Sequence, residues 1–250
     1  MATRAEILRE LKLAPEWRRR ERPDSADAIG EAPPLAEPAR PGTIVTAEDP
    51  GARRARIAAL DWERFDADVA ACTACGLCRT RNKAVPGVGD HNAEWLFVGE
   101  GPGAEEDAKG EPFVGQAGRL LDSMLAALGM NRGDRVYIAN VVKCRPPGNR
   151  TPEPGEAEAC RPYLERQIAL IRPKLIVALG KSAASLLLRT DATIASLRGR
   201  RHRYGDTPLV VTYHPAYLLR NLPDKAKAWE DLLFARRVAS ADPADAPSEA

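Results

Sequence analysis

Three cysteines fall within seven residues in the stretch CTACGLC, Cys72 to Cys78, which reads as two overlapping C-x-x-C units. Two more, Cys144 and Cys160, stand far downstream. Thiols at this spacing suit a redox dithiol, a zinc knuckle, an iron–sulfur ligand set or plain buried packing. The first 22 residues show no apolar core and no small-residue cleavage site, so no secretory signal is expected and the expected location is cytoplasmic. Thiols stay reduced there, which favours metal binding or chemistry over disulfides. The odd count of five agrees, and it leaves one cysteine to spare in any four-ligand set.

The remaining candidates follow short apolar runs. EWLFVG (94–99), RVYIANVV (135–142), KLIVALG (174–180) and PLVVTY (208–213) have the length and β-branched content of buried strands. Helical patterns lie between or after them at 118–130, 160–173, 181–189 and 225–238, and one more at 57–72 leads into the cysteines. Strand alternating with helix predicts an α/β domain with a central, mostly parallel, four-stranded sheet between helical layers. Ligands bind such sheets at the carboxyl ends of the strands.

After the first strand comes GEGPGAEEDAKGEPFVGQAG (99–118). Gly99, Gly101 and Ala104 fit the dinucleotide pattern G-x-G-x-x-G/A. Pro102 interrupts it and no helix is predicted to open at Ala104, so it is not read as a nucleotide site. The loop carries Glu100, Glu105, Glu106, Asp107 and Glu111 near a lone Phe113. A carboxylate can position a water there, a phenyl face can stack a planar base, and Gly101 and Gly103 let backbone approach a ligand. After the second strand, Asn140 is either a satisfied core amide or a reader of a nucleobase edge. Lys143, Arg145 and Arg150 flank a Pro-Pro-Gly turn and could meet phosphates or water. Gly180-Lys181-Ser182 imitates a P-loop ending, but Leu175 stands where that motif needs glycine, so a plain strand-to-helix turn is expected. After the fourth strand, His214 could donate a hydrogen bond to a developing anion. Upstream, RGRRHR (198–203) is either a solvated face or a phosphate contact.

Taken together, CTAC (72–75), GEGPG (99–103), PFVGQAG (112–118), NVVKCRPPGNR (140–150), Cys160 and HPAYLLR (214–220) resemble the family 4 uracil-DNA glycosylases, the iron–sulfur branch of that superfamily. The match runs through residues 72–220 in the family's order; each piece alone is weak and the set is specific. The resemblance implies a uracil-DNA glycosylase-like domain with a [4Fe-4S] cluster on Cys72, Cys75, Cys144 and Cys160, leaving Cys78 over. A four-cysteine set also suits structural zinc. The resemblance further implies an enzyme that flips deoxyuridine out of DNA and hydrolyses its N-glycosidic bond, the opening step of base excision repair. Glu100 would handle the water with Glu106 in reserve, and His214 would bond the uracil oxygen. Phe113 would stack on the base, Asn140 would read its edge, and the amides of Gly101 and Gly103 would line the pocket. Leu218 is the expected wedge, and Arg145 and Arg150 the expected phosphate contacts. Where many members have Ala, this chain has Gly101, which suggests a more open floor beside the base. A related branch that traps uracil covalently carries a basic, His-containing insertion after the second strand. None stands between Cys144 and Cys160, which argues for turnover. A dithiol oxidoreductase is the rival from another class and would make Cys78 matter as much as Cys75.

Charge fits a DNA partner without requiring it. The chain of 250 residues carries +2, yet residues 60–239 hold 26 Lys and Arg against 22 Asp and Glu. Residues 1–55 are expected to form an arm, a short helix at 5–12 followed by a disordered Pro/Ala-rich linker, open to a protein partner. The domain is expected over 56–239, with a disordered tail at 240–250. A monomer without a membrane span is expected.

Overall fold

The structure is a computed structural model that describes residues 48–241. The expected helix at 5–12, nearly all of the linker and most of the tail lie outside the described residues. Helix α1 (Pro50–Ala58) starts on an N1 proline capped by Asp49, and α2 (Trp62–Ala71) is capped by Asp61. The single helical pattern expected over 57–72 is thus two helices, because Asp61 restarts the chain with a side-chain cap to Arg64 N. The chain then passes through the cysteine loop into β1 (Val88–Gly89), β2 (Trp95–Gly99), α3 (Ala104–Lys109), α4 (Gln116–Ala127) and β3 (Val136–Asn140). After these come α5 (Pro154–Ile171), β4 (Leu175–Leu179), α6 (Lys181–Leu188), α7 (Ile194–Leu197), β5 (His202–Tyr204), β6 (Thr207–Thr212), α8 (Pro215–Leu218) and α9 (Asp224–Ser240).

The sheet order is β1-β3-β2-β4-β6-β5. The four inner strands are the four predicted ones, and all their pairings are parallel. The sheet has six strands rather than four, because β1 and β5 add antiparallel edges. Neither has the apolar signature of a strand: β1 is two residues of a Gly-rich turn and β5 lies in the basic run. That run therefore serves the fold. Arg198 pairs with buried Asp231, and none of its residues lines the cleft described below.

Alternation along the buried strands sorts side chains into two cores. Leu96, Val98, Ile176, Ala178, Leu209 and Val211 face α5, α6 and α7. Phe97, Ile138, Val177 and Val210 face α4 and α9 through Leu121, Leu125, Leu232 and Ala235. Two helical layers enclose the sheet, and the strands' carboxyl ends stay open as an edge for chemistry.

Asp231 ties α9 to that edge. Its carboxylate, 2 % exposed, accepts from Thr212 Oγ1 at 2.9 Å and Arg198 Nε at 2.9 Å, just before the chain reaches His214. Removing one partner of a buried ion pair costs about 3–5 kcal/mol, because the other charge is left uncompensated. Asp231→Ala is therefore expected to lower the unfolding free energy by about 3 kcal/mol in urea titrations; an unchanged midpoint would contradict this account of the edge.

Candidate active site

The carboxyl ends of β2, β3 and β6 open into a cleft of about 520 Å³. Glu100, Gly101, Gly103, Glu106, Phe113, Asn140, Arg150 and His214 all line it, so the structure gathers most of the sequence candidates at one place. Two wider grooves, of about 860 and 770 Å³, contain none of these residues.

Asn140 ends β3 beside Gly99, its partner in register. The residue is 2 % exposed, and among the described residues its Oδ1 has no hydrogen-bond partner. Among the described residues its amide nitrogen has no recorded partner either. The sequence reading of a satisfied core amide is thereby excluded. Gly99 makes the arrangement possible. A Cβ there would collide with Asn140 Oδ1 and lie 2.7 Å from Phe113 Cζ. The absent methyl lets phenyl ring and amide meet over the strand end.

Phe113 adopts the left-handed conformation, with φ 54°, uncommon for a residue with a side chain. Its loop is held from two sides. Arg132 donates to Pro112 O at 2.8 Å and Phe113 O at 2.9 Å. Glu106 accepts from the amides of Val114 at 2.9 Å and Gly115 at 3.3 Å, and its other oxygen accepts from Gly103 N at 3.1 Å. Glu106, expected in reserve for the water, is a clamp across the loop, occupied by three backbone amides. Glu100 carries no such load: its side chain lines the cleft and makes no hydrogen bond among the described residues. A short helix does open at Ala104, against the sequence reading, and it carries Glu106. Pro102 still interrupts the dinucleotide pattern, and the next parallel strand ends in an amide rather than an acid.

His214 caps α8. Its Nδ1 accepts from Ala216 N at 3.1 Å, which leaves the proton of the neutral ring on Nε2. Burial, aided by the charge of Arg220 against the opposing pull of Glu106, draws its pKa down to about 4. The ring is therefore a neutral donor at physiological pH. It packs 5.5 Å from Phe113, centroid to centroid. Gly180 makes room for it: φ is 91°, and a Cβ would stand 2.8 Å from His214 Cβ.

Three expected DNA contacts fare differently. Leu218 is 1 % exposed and packs with Tyr213 and Ala228, so it cannot serve as a wedge as it stands; Leu219, next along, is 38 % exposed. The helical turn of α8 turns one leucine inward and leaves the other outside, which an apolar pair in sequence does not reveal. Arg150 forms a two-pronged pair with Glu156, at 2.8 and 2.7 Å, and so is tied to α5. Arg145 donates to Asn149 Oδ1 at 2.7 Å. Sequence reasoning missed Arg220, which lines the cleft, is exposed, and has no recorded anionic partner among the described residues. Its position six residues after His214 was the available signal. Gly101, smaller than the family's usual Ala, does not simply widen the floor. A Cβ there would stand 2.8 Å from Val142 Cγ2 and 3.7 Å from Pro146, towards the wall of the cysteine-bearing loop.

All five cysteines line one small internal cavity between the loop after α2, the segment after β3 and α5. Among the described residues no three His, Cys, Asp or Glu side chains converge on a single-ion site. Three of the sulfurs accept from N–H donors. Arg53 points at Cys72 (3.4 Å), Arg81 at Cys144 (2.9 Å) and the Lys143 amide at Cys160 (3.3 Å). Burial pushes the Cys75 thiol up, with the Leu77 amide working against it. Among the described residues neither Cys75 nor Cys78 accepts a recorded hydrogen bond at sulfur. Hydrogen bonds to sulfur stabilise thiolates and tune the clusters they hold. Thiols gathered around one cavity, three of them facing N–H donors, suit a thiolate-bound group.

Residues 86–233 match the family model described as the uracil DNA glycosylase superfamily. The chain is 48% identical over 160 residues to the type-4 uracil-DNA glycosylase of Archaeoglobus fulgidus, covering 61% of this chain and 80% of that protein. It is 49% identical over 152 residues to the type-4 enzyme of Thermotoga maritima, covering 60% and 79%. It is 41% identical over 181 residues to that of Pyrobaculum aerophilum, covering 69% and 92%. The matched stretch holds the strand-end cleft and its loops, and the chain belongs to the type-4 group of the uracil-DNA glycosylase superfamily.

Proposed function

We propose that this chain is a uracil-DNA glycosylase that flips deoxyuridine from DNA and hydrolyses its N-glycosidic bond. One observation carries the reading. Asn140 holds a buried amide oxygen without a partner at the cleft floor, where uracil N3–H can donate and uracil O4 can accept from the amide nitrogen. Leaving such an acceptor unmade costs about 1–3 kcal/mol, which a matching base would recover.

The chemistry follows from the charges that develop. As the bond breaks, the sugar turns cationic and uracil leaves as an anion. Neutral His214 donates from Nε2 to the uracil oxygen that gains charge, and no proton need be lost first. Glu100, without a hydrogen-bond partner among the described residues, positions and activates the water, and its charge favours the cationic sugar. Phe113 stacks on the base, and Gly101 and Gly103 supply backbone edges around it. Extrusion of the nucleotide costs a few kcal/mol. Leu219 replaces Leu218 as the wedge. Arg145 and Arg220 meet phosphates, while Arg150, held by Glu156, fixes the end of the turn that follows Arg145.

Cys72, Cys75, Cys144 and Cys160 would hold a [4Fe-4S] cluster, with Cys78 as the spare. The group would supply a staple between distant loops rather than a catalytic step. Arg53, Arg81 and the Lys143 amide would face the sulfurs of three of these cysteines.

Incubation with a uracil-containing oligonucleotide, then alkali and a denaturing gel, is expected to cut the strand at uracil and leave a thymine control whole. A uracil strand of unchanged mobility contradicts the reading. Glu100→Gln is expected to lower kcat by about 10²–10⁴-fold, and His214→Leu by about 10²–10³-fold, in single-turnover assays. NMR titration of His214 should show a midpoint near 4 with the neutral Nε2–H form above it. The unfolded chain binds that proton near pH 6.5, so His214 makes stability fall as pH drops from 6.5 to 4. A midpoint above physiological pH would remove the neutral-donor mechanism. Cys78→Ser is expected to keep the brown colour and activity of the purified protein, whereas Cys75→Ser loses both. Equal damage from the two would mean the ligand set is wrong.

A further inference from the structure

Lys143 is a lysine with no place in the mechanism above, yet it is 1 % exposed. Buried ammonium groups are rare and persist only where the surrounding groups hold them. Its Nζ donates to Asn140 O at 2.8 Å and to Gln167 Oε1 at 2.5 Å. Gln167, fully buried on α5, is fixed in turn by donating to Pro86 O at 2.8 Å and Tyr137 Oη at 3.2 Å. The side chain thus bends back along its own segment and caps the last carbonyl of β3.

That carbonyl belongs to the residue whose amide faces the cleft. β3 ends at Asn140, and the next amides, of Val141 and Val142, bond across to Gly99 O and Glu100 O. Lys143 therefore fixes the peptide plane that follows Asn140, and with it the direction of the Cα–Cβ bond. Its own backbone is held at both ends: the amide points at Cys160 Sγ, and the carbonyl accepts from Val85 N at 2.8 Å. No other side chain has a recorded hydrogen bond to Asn140 among the described residues.

We infer that Lys143 is a positioning residue for base recognition: it aims the Asn140 amide by holding the Asn140 carbonyl against Gln167. The inference rests on the reading of Asn140 as the uracil-binding amide. Lys143 touches no substrate in this account and acts only through Asn140.

A double-mutant cycle on the full-length enzyme tests it, with single-turnover rates on a uracil oligonucleotide and inhibition by free uracil as readouts. Iron content and thermal unfolding are measured on every variant. Lys143→Met keeps length and removes the donor. It is expected to retain iron and cooperative unfolding, to slow uracil release by tenfold or more, and to weaken inhibition by uracil. In an Asn140→Ala background the same change is expected to cost less than twofold. Lys143→Arg, which keeps the donors, should recover part of the loss. Equal losses in the two backgrounds, or an unaltered rate and uracil affinity in Lys143→Met, would overturn the inference. If Lys143→Met does not fold, Gln167→Met removes the ammonium's other anchor and enters the same cycle, with the same two outcomes. If Asn140→Ala itself leaves uracil release unchanged, it is the assignment of Asn140 that fails.

Discussion

The structure turns on one buried amide that the protein leaves without a hydrogen bond. Asn140 sits at the end of a central strand, in surroundings where an unmet polar atom costs about 1–3 kcal/mol. Much of the nearby structure keeps it there. Gly99 removes the one side-chain atom that would block it, and Phe113 closes over it in a left-handed conformation. The fold accepts local cost at the place where the proposed reading puts base recognition, as binding sites built for hydrogen-bonded substrates require.

The surrounding elements share that load. Glu106 and Arg132 grip the Phe113 loop from opposite sides through backbone atoms, so the loop's shape depends little on its side chains. Asp107, beside Glu106 on α3, is 1 % exposed and accepts twice from Asn82, at 2.9 and 2.6 Å. One residue before Asn82, Arg81 reaches Cys144 Sγ. A continuous chain of contacts thus runs from the cysteine loop to the wall of the cleft. In the proposed reading the cysteines are architecture for the chemistry at Glu100, Asn140 and His214.

The inner sheet was legible in the sequence because its four strands are buried on both faces and read as short apolar runs. The edge strands were not: Val88–Gly89 is a Gly-rich turn that pairs only through its position beside β3, and His202–Tyr204 looks like a basic surface. The gathering of Glu100, Phe113, Asn140 and His214 followed from strand ends. What sequence could not rank was which polar groups the fold would occupy. Glu100 and Glu106 are equivalent as letters, and only backbone geometry engages one and frees the other. Leu218 and Leu219 are likewise told apart only by the turn of α8. Arg150 and Arg220 are told apart by Glu156, which belongs to a helix whose start, at Pro154, lay ahead of the predicted range.

The central claim is that the cleft is shaped to the edge of uracil by an amide held ready for it. A crystal structure of the cluster-containing protein with free uracil tests this most directly. The account predicts uracil stacked on Phe113, with N3–H donating to Asn140 Oδ1, O4 accepting from its amide nitrogen, and a carbonyl oxygen within hydrogen-bond distance of His214 Nε2. Uracil bound elsewhere, or bound in the cleft with the Asn140 amide turned into the protein and bonded there, would contradict it.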